Sequence, residues 1–164
     1  MEKERREIRI ITGEPLEPSV AIIRRAFRTV AEEMDFTEEN APTHPSFMTV
    51  PRLEDTRRKG AIFWGLFINN QQAGFVAVEK TNDGKYCMER LAVLPEFRHR
   101  GNGKVLVDTA ISYARSQGGK KLYIGMVNEH TVLKNWYLAM GFKEISVQKF
   151  EHLPFTVAFM ELDL

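Results

Sequence analysis

Residues 91–110, LAVLPEFRHRGNGKVLVDTA, constrain the fold more than any other part of the chain. An apolar run suited to a strand stops at Pro95, and a loop carrying Gly101 and Gly103 follows. Beyond it Leu106, Val107, Ala110, Ile111 and Ala114 recur at three- and four-residue steps, the pattern of a helix with one buried stripe. Strand, tight loop and amphipathic helix in this order belong to an α/β architecture. The first turn of such a helix has N–H groups without intrahelical partners, and the positive end of its dipole faces the loop. Gly101 and Gly103 remove Cβ atoms that would hold an anion away from those amides, while Arg98, Arg100 and Lys104 add positive charge. Such a loop suits a pyrophosphate. Two familiar phosphate loops do not fit. The Walker pattern needs glycine where Arg98 stands and Ser or Thr where Val105 stands, and the dinucleotide pattern needs a third glycine where Leu106 stands. Glycines that merely shape a turn are the plainer alternative.

The chain reads as one domain over residues 1–164, without repeat, low-complexity tract or linker. Residues 5–12 predict an opening strand. Over 18–34, Val20, Ile23, Phe27, Val30, Ala31 and Met34 predict a helix, with Arg24, Arg25 and Arg28 mostly on its solvated side. Residues 37–50 read as a loop, and a shorter helix runs from about Pro51 to Lys59, ended by Gly60. Strands over 61–68 and 73–80 flank a polar turn at 69–72, and Asp83-Gly84 marks a second hairpin before a strand over 85–94. Helix 102–117, strand 121–127, helix 131–140 and strands 143–150 and 155–162 complete the chain. The order β-α-α-β-β-β-α-β-α-β-β predicts a mixed α/β sheet with helices on both faces.

Composition narrows the function. A chain of 164 residues can bury a core without staples. Twenty-three basic and 22 acidic side chains leave a formal charge of +1, without the excess that a dedicated nucleic-acid binder carries. Cys87 is the only cysteine, which excludes an internal disulfide and fits a reducing compartment. No apolar run approaches the roughly 18–20 residues that span a bilayer. The start, MEKERREIRI, lacks the apolar core of a secretory signal, so a cytoplasmic enzyme or binding protein is expected. The spacings of His44, His99, His130 and His152 form no metal-ligand pattern, and no metal is expected.

Two motifs then combine. Leu91-Ala92-Val93-Leu94-Pro95 leads into Arg98-His99-Arg100-Gly101-Asn102-Gly103, and one strand and one helix later comes Trp136-Tyr137-Leu138-Ala139-Met140-Gly141-Phe142. On these residues the sequence resembles the GCN5-related N-acetyltransferase (GNAT) family. That family's signatures are Arg or Gln, two residues, Gly, one residue, then Gly or Ala, and further on Tyr-x-x-x-Gly-Phe. The resemblance implies the GNAT fold with a mixed, mostly antiparallel sheet. It also implies acetyl-CoA as cosubstrate and transfer of its acetyl group to an amine by direct attack. The segment Leu91, Ala92 and Val93 would lie along the pantetheine arm, with main-chain groups of Leu91 and Val93 pairing to it. Arg98, His99, Arg100, Gly101, Asn102, Gly103 and Lys104 would form the pyrophosphate loop, with the amides from His99 onward as its donors. Tyr137 falls where the family often places the acid for the leaving thiolate. The family's usual pantetheine-binding Asn, seven residues before that tyrosine, is here His130, with Asn128 two residues earlier, so both are candidates.

Acyl transfer makes three demands. The amine must be neutral, although an alkylammonium titrates near about 10.4. Charge builds on the thioester oxygen, where a placed N–H contributes on the order of 3 kcal/mol. The leaving sulfur is helped by a proton donor. The amide of Val93 or its neighbour is the expected oxyanion donor. Glu89, on a strand face expected to include Cys87, Leu91 and Val93, is the candidate base, either directly or through water. His152, in the turn between the last two strands, is a candidate for the acceptor side or simply an exposed histidine. Acceptor choice is expected to lie with residues 15–60 and 150–155, where Phe36, Phe47 and Phe63 are either lining or core. The acceptor is a small-molecule or peptide amine not named by the sequence. Rival readings are a non-catalytic acyl-CoA-binding regulatory module and an RNA-directed acetyltransferase, and a homodimer through the last strands stays open.

Overall fold

The computed structural model describes residues 3–164; Met1 and Glu2, part of the expected domain and of the charged start, lie outside the described residues. The elements are β1 (Arg6–Ile11), α1 (Glu17–Glu33), α2 (Val50–Arg58), β2 (Ile62–Ile68), β3 (Gln71–Lys80) and β4 (Tyr86–Val93). They continue with α3 (Asn102–Ser116), β5 (Lys121–Val127), α4 (Thr131–Ala139), β6 (Lys143–Lys149) and β7 (Thr156–Asp163). Among the described residues the strands form one sheet ordered β1-β2-β3-β4-β5-β7-β6. It is antiparallel except where β4 meets β5. The mixed, mostly antiparallel α/β sheet is therefore present.

Helices lie on both faces because each strand set offers apolar side chains on both sides. On one face Leu16, Val20 and Ile23 of the α1 region and Leu53 of α2 pack with Phe63, Phe75, Ala77, Ala92 and Leu94. On the other, Leu106, Val107, Ala110 and Ala114 of α3 and Tyr137 of α4 meet Val76, Val78, Met88, Ile124 and Met126. Fully burying each large aliphatic among them contributes about 1.5–3 kcal/mol before chain entropy is counted.

Three local differences from the sequence reading have physical causes. The 37–50 segment contains a 3-10 turn, Pro45–Phe47, capped by His44. Its Nδ1 accepts from the Ser46 N–H at 3.3 Å and lies 2.7 Å from the Ser46 hydroxyl. Histidine is not among the usual capping residues, which hid the turn. The β2–β3 turn is only Asn69-Asn70, with φ of 49° and 68°. Two successive left-handed residues make the tight hairpin turn, and Gln71 and Gln72 join β3 instead of the loop.

The third difference corrects the strand face expected for Glu89. Pairing of β3 with β4 shifts between Phe75 and Ala77, and Arg90 stands opposite with φ of 54°. This is a bulge, and an extra residue reverses the alternation beyond it. Glu89 and Cys87 therefore share the α1/α2 face with Ala92. Leu91 and Val93 turn instead to the α3/α4 cluster, with Tyr86 and Met88.

Candidate active site

β4 and β5 pair only at Tyr86–Leu122 and Cys87–Tyr123. Beyond that point β5 continues along β7 as far as Val127, while the bulged β4 diverges from it. The strands thus open into a V. The Leu94 N–H donates to the Ala73 carbonyl at 2.9 Å, so Leu94 and Ala92 direct their main-chain groups at β3. By alternation, the main-chain groups of Leu91 and Val93 point into the opening. The Val93 carbonyl accepts from Arg98 Nε at 3.1 Å.

At the wide end stands the glycine loop. A short 3-10 turn, Pro95–Phe97, carries the chain from β4 into it. His99 and Gly101 both adopt left-handed backbone, with φ of 62° and 79°. For His99 that conformation costs roughly 1–2 kcal/mol. Gly101 is the N-cap of α3 and, being glycine, supplies no capping side chain. Among the described residues no N–H from His99 through Lys104 donates to a protein acceptor; the first to do so is Val105, to the Gly101 carbonyl at 3.1 Å. Consecutive free amides at a helix start form an anion-binding concavity.

The two glycines do different work. Gly101 is required by its positive φ, since a Cβ there would meet nothing closer than Arg6 Nη1 at 4.0 Å, an ordinary contact. At Gly103 a Cβ would lie 3.1 and 3.2 Å from the Trp136 ring, so that glycine lets α4 approach the start of α3. The basic side chains also divide. Arg98 is spent inside the protein, on Val93, on the Ala26 carbonyl at 2.8 Å and on the Thr29 hydroxyl at 3.3 Å. It ties the end of β4 to α1, and only its main chain remains for a ligand. Arg100 reaches Glu4 at 3.4 Å and Lys104 reaches Asp108 at 3.0 Å, both on the surface.

Tyr137 is only 6% exposed, with its ring edge-on to Trp136 and Phe142 at 5.1 and 5.4 Å. Burial pushes its pKa well above the usual tyrosine value, so the phenol stays protonated. Its hydroxyl has no hydrogen-bond partner among the described residues, yet no fully buried side-chain N or O there lacks one. The hydroxyl therefore keeps an opening to the outside.

Glu89 is half-buried and accepts from Arg90 Nη1 at 2.7 Å. Desolvation raises its pKa, the Arg90 guanidinium works against that, and the neighbouring Glu79 carboxyl raises it further. Glu79 pairs across the strands with Cys87, two pairs along from Ala77–Glu89 and so on the same face. Sequence reading missed Glu79 and the bulge arginine, because no local signal marks an arginine for left-handed backbone. Burial also raises the Cys87 thiol to about 11, away from nucleophilic use.

Asn128 and His130 separate by their internal bonds. The Asn128 carboxamide accepts from Lys134 Nζ at 2.7 Å and donates to the Thr156 hydroxyl at 3.1 Å. His130 caps α4, its Nδ1 accepting from the Leu133 N–H at 3.2 Å, which leaves Nε2 available. His152 is exposed, and Phe63 is core at 1% exposure. Phe36 packs on Phe155 at 4.9 Å and Ala41 joins the same cluster, so the start of the 37–50 segment lies beside the 150–155 turn, with Val127 at the end of β5. Among the described residues no three His, Cys, Asp or Glu side chains gather as a metal site, and no helix is long and apolar enough to cross a membrane.

Fold and site together define an α/β protein that presents an uncapped helix start beside a splayed parallel strand pair. The chain belongs to the acetyltransferase (GNAT) family, whose model matches residues 26–142. An uncharacterized N-acetyltransferase of Methanocaldococcus jannaschii is 32% identical over 92 residues, covering 50% of this chain and 39% of that protein. The chain thus matches less than half the length of that relative. The ribosomal-protein-S18-alanine N-acetyltransferase of Escherichia coli superposes with a TM-score of 0.77 at 16% identity, over 97% of this chain and 94% of the other. The PaiA N-acetyltransferase of Thermoplasma acidophilum, solved in complex with coenzyme A, gives 0.76 at 19% identity, over 98% and 99%.

Proposed function

We propose that the protein transfers an acetyl group from acetyl-CoA to an amine by direct attack, as one domain over residues 1–164. The observation that carries this reading is the run of free amides from His99 to Lys104 at the start of α3, next to the opened β4–β5 edge. Coenzyme A fits these residues, since its diphosphate needs several donors in one concavity and its pantetheine arm needs a strand edge. The main-chain groups of Leu91 hold the arm as an added strand would, with Ala92 behind it, and His130 Nε2, unlike the Asn128 carboxamide, is unspent and meets it. Asn128, engaged by Lys134 and Thr156, braces the far side.

Bound acetyl-CoA supplies an activated acyl carbon. The Val93 N–H faces the developing charge on the thioester oxygen, since that of Leu94 is taken by the Ala73 carbonyl. Glu89, its pKa raised and its carboxylate paired with Arg90, takes the ammonium proton directly or through water and becomes the carboxylic acid, leaving the amine neutral. Tyr137 donates a hydrogen bond to the departing sulfur. Burial keeps that proton in place until negative charge arrives beside it.

The acceptor, a small-molecule or peptide amine, enters where the 37–50 segment meets the 150–155 turn. The lone, half-buried Cys87 and the near-neutral charge support a cytoplasmic enzyme that uses neither metal nor nucleic acid. Thiol release from acetyl-CoA across amine panels (amino acids, polyamines, peptide N-termini and lysines) tests the proposal. Acceptor-dependent release is expected; coenzyme A binding with no release from any class would favour a regulatory binding module instead.

A further inference from the structure

Arg6 opens β1 and lies 96 residues from Asn102 in sequence, yet its guanidinium is bonded to the phosphate loop. Nη1 donates to Asn102 Oδ1 at 3.2 Å and, at a longer 3.5 Å, to the Arg100 carbonyl. Asn102 is only 3% exposed, and its Nδ2 donates to the Phe97 carbonyl at 2.8 Å. One carboxamide therefore bridges the turn before the loop and the first strand of the sheet.

The effect of these bonds is on orientation. In a trans peptide the C=O and the N–H point opposite ways. Drawing the Arg100 carbonyl towards Arg6 turns the Gly101 N–H away from Arg6, to the other side of the loop. Asn102, held from both ends, fixes where α3 begins and hence where its first free amides point. A cationic donor on a carbonyl also polarises that peptide and strengthens its N–H as a donor.

We propose that Arg6 and Asn102 are positioning residues for the phosphate loop, holding the amides from Gly101 to Lys104 turned outward so that a diphosphate meets donors already oriented. This rests on the reading of the loop as the coenzyme A cradle. Donors fixed in advance spare the ordering cost at binding. Arg6 is exposed, so replacing it leaves the core intact.

The test is calorimetry of the full chain with coenzyme A, paired with an NMR titration using pantetheine, which has no diphosphate. Arg6→Met and Asn102→Leu are expected to weaken coenzyme A roughly five- to tenfold, the scale of one lost hydrogen bond. Arg6→Lys should recover part of the loss, and pantetheine binding to Arg6→Met should match the wild type. A wild-type protein that takes up no coenzyme A would sink the cradle reading itself. Wild-type uptake with an equal affinity in Arg6→Met would overturn the positioning role. Equal losses for both ligands in Arg6→Met, with a lowered melting point, would overturn it too, in favour of a folding role.

Discussion

Burial shifts a titratable group at Tyr137, Glu89 and His44, with different consequences. Burial raises the Tyr137 phenol, so across the neutral range it is a hydrogen-bond donor and never a phenolate. Tyr137→Phe should lower turnover about 100-fold, the lower end of general-acid contributions, while calorimetry finds coenzyme A affinity unchanged; full turnover would remove the residue from the mechanism. Glu89 is raised by desolvation, then by Glu79, against Arg90. Activity should therefore fall, as pH drops, at a point above the ordinary glutamate range. Glu89→Gln should erase that acid limb of the pH–rate profile, and an unchanged profile would leave Glu89 a structural role. His44, ringed by Phe27, Phe36 and Phe47, is lowered by burial from 6.5 to about 4. The folded chain holds it neutral while the unfolded chain protonates it. Its stabilisation is complete above pH 6.5 and is lost as pH falls towards 4, on the order of 3 kcal/mol in all. His44→Asn keeps an acceptor for the Ser46 N–H and should flatten that part of the urea-midpoint curve.

At the scale of elements, the join between loop and helix separates two kinds of glycine. Gly101→Ala places a Cβ at an ordinary 4.0 Å contact from Arg6 Nη1 but on a left-handed backbone, at a cost of about 1–2 kcal/mol. Gly101→Asn, a side chain that visits this region more readily, should lose less stability and retain more coenzyme A affinity. Thermal melts with calorimetry of the pair check this; equal behaviour of Ala and Asn would mean that φ is not what selects glycine. At Gly103 the obstacle is the Trp136 ring, so the fault there lies in helix packing. The bulge at Arg90 is the other decisive local event. It sends Glu89 to the α1/α2 side and Leu91 and Val93 to the α3/α4 side, and it lets β4 leave β5 after two paired positions.

For the whole molecule, one ligand is held by parts far apart in sequence: β4, the loop, the start of α3 and, through Arg6, β1. Ligand that binds only the folded chain adds about 2.7 kcal/mol at a hundredfold excess over Kd. In a chain of this size that should raise the melting temperature by roughly 5–10 °C. Scanning fluorimetry with coenzyme A measures it, and the absence of any rise would contradict the cradle reading. The sheet edges bear on association. β6 exposes Ile145 and Val147, but Lys143 and Lys149 flank them, the kind of edge charge that discourages strand addition.

Element order and nearly all boundaries were legible in the sequence, because the periodicity of α1 and α3 and the turn signals at Asp83-Gly84 and Gly118-Gly119 are local properties of the chain. The glycine loop was legible for the same reason: a strand end, glycines and a helix start are neighbours. What the sequence alone could not decide was which neighbours each group would find. Arg98 reads as a phosphate ligand but is consumed by Ala26, Thr29 and Val93. Asn128 reads as a ligand contact but is consumed by Lys134 and Thr156. Glu89 changes face because one arginine takes a positive φ. Hydrogen bonds across long separations and a one-residue register shift depend on the assembled sheet, so only the tertiary structure fixed which polar groups remain free to meet a ligand.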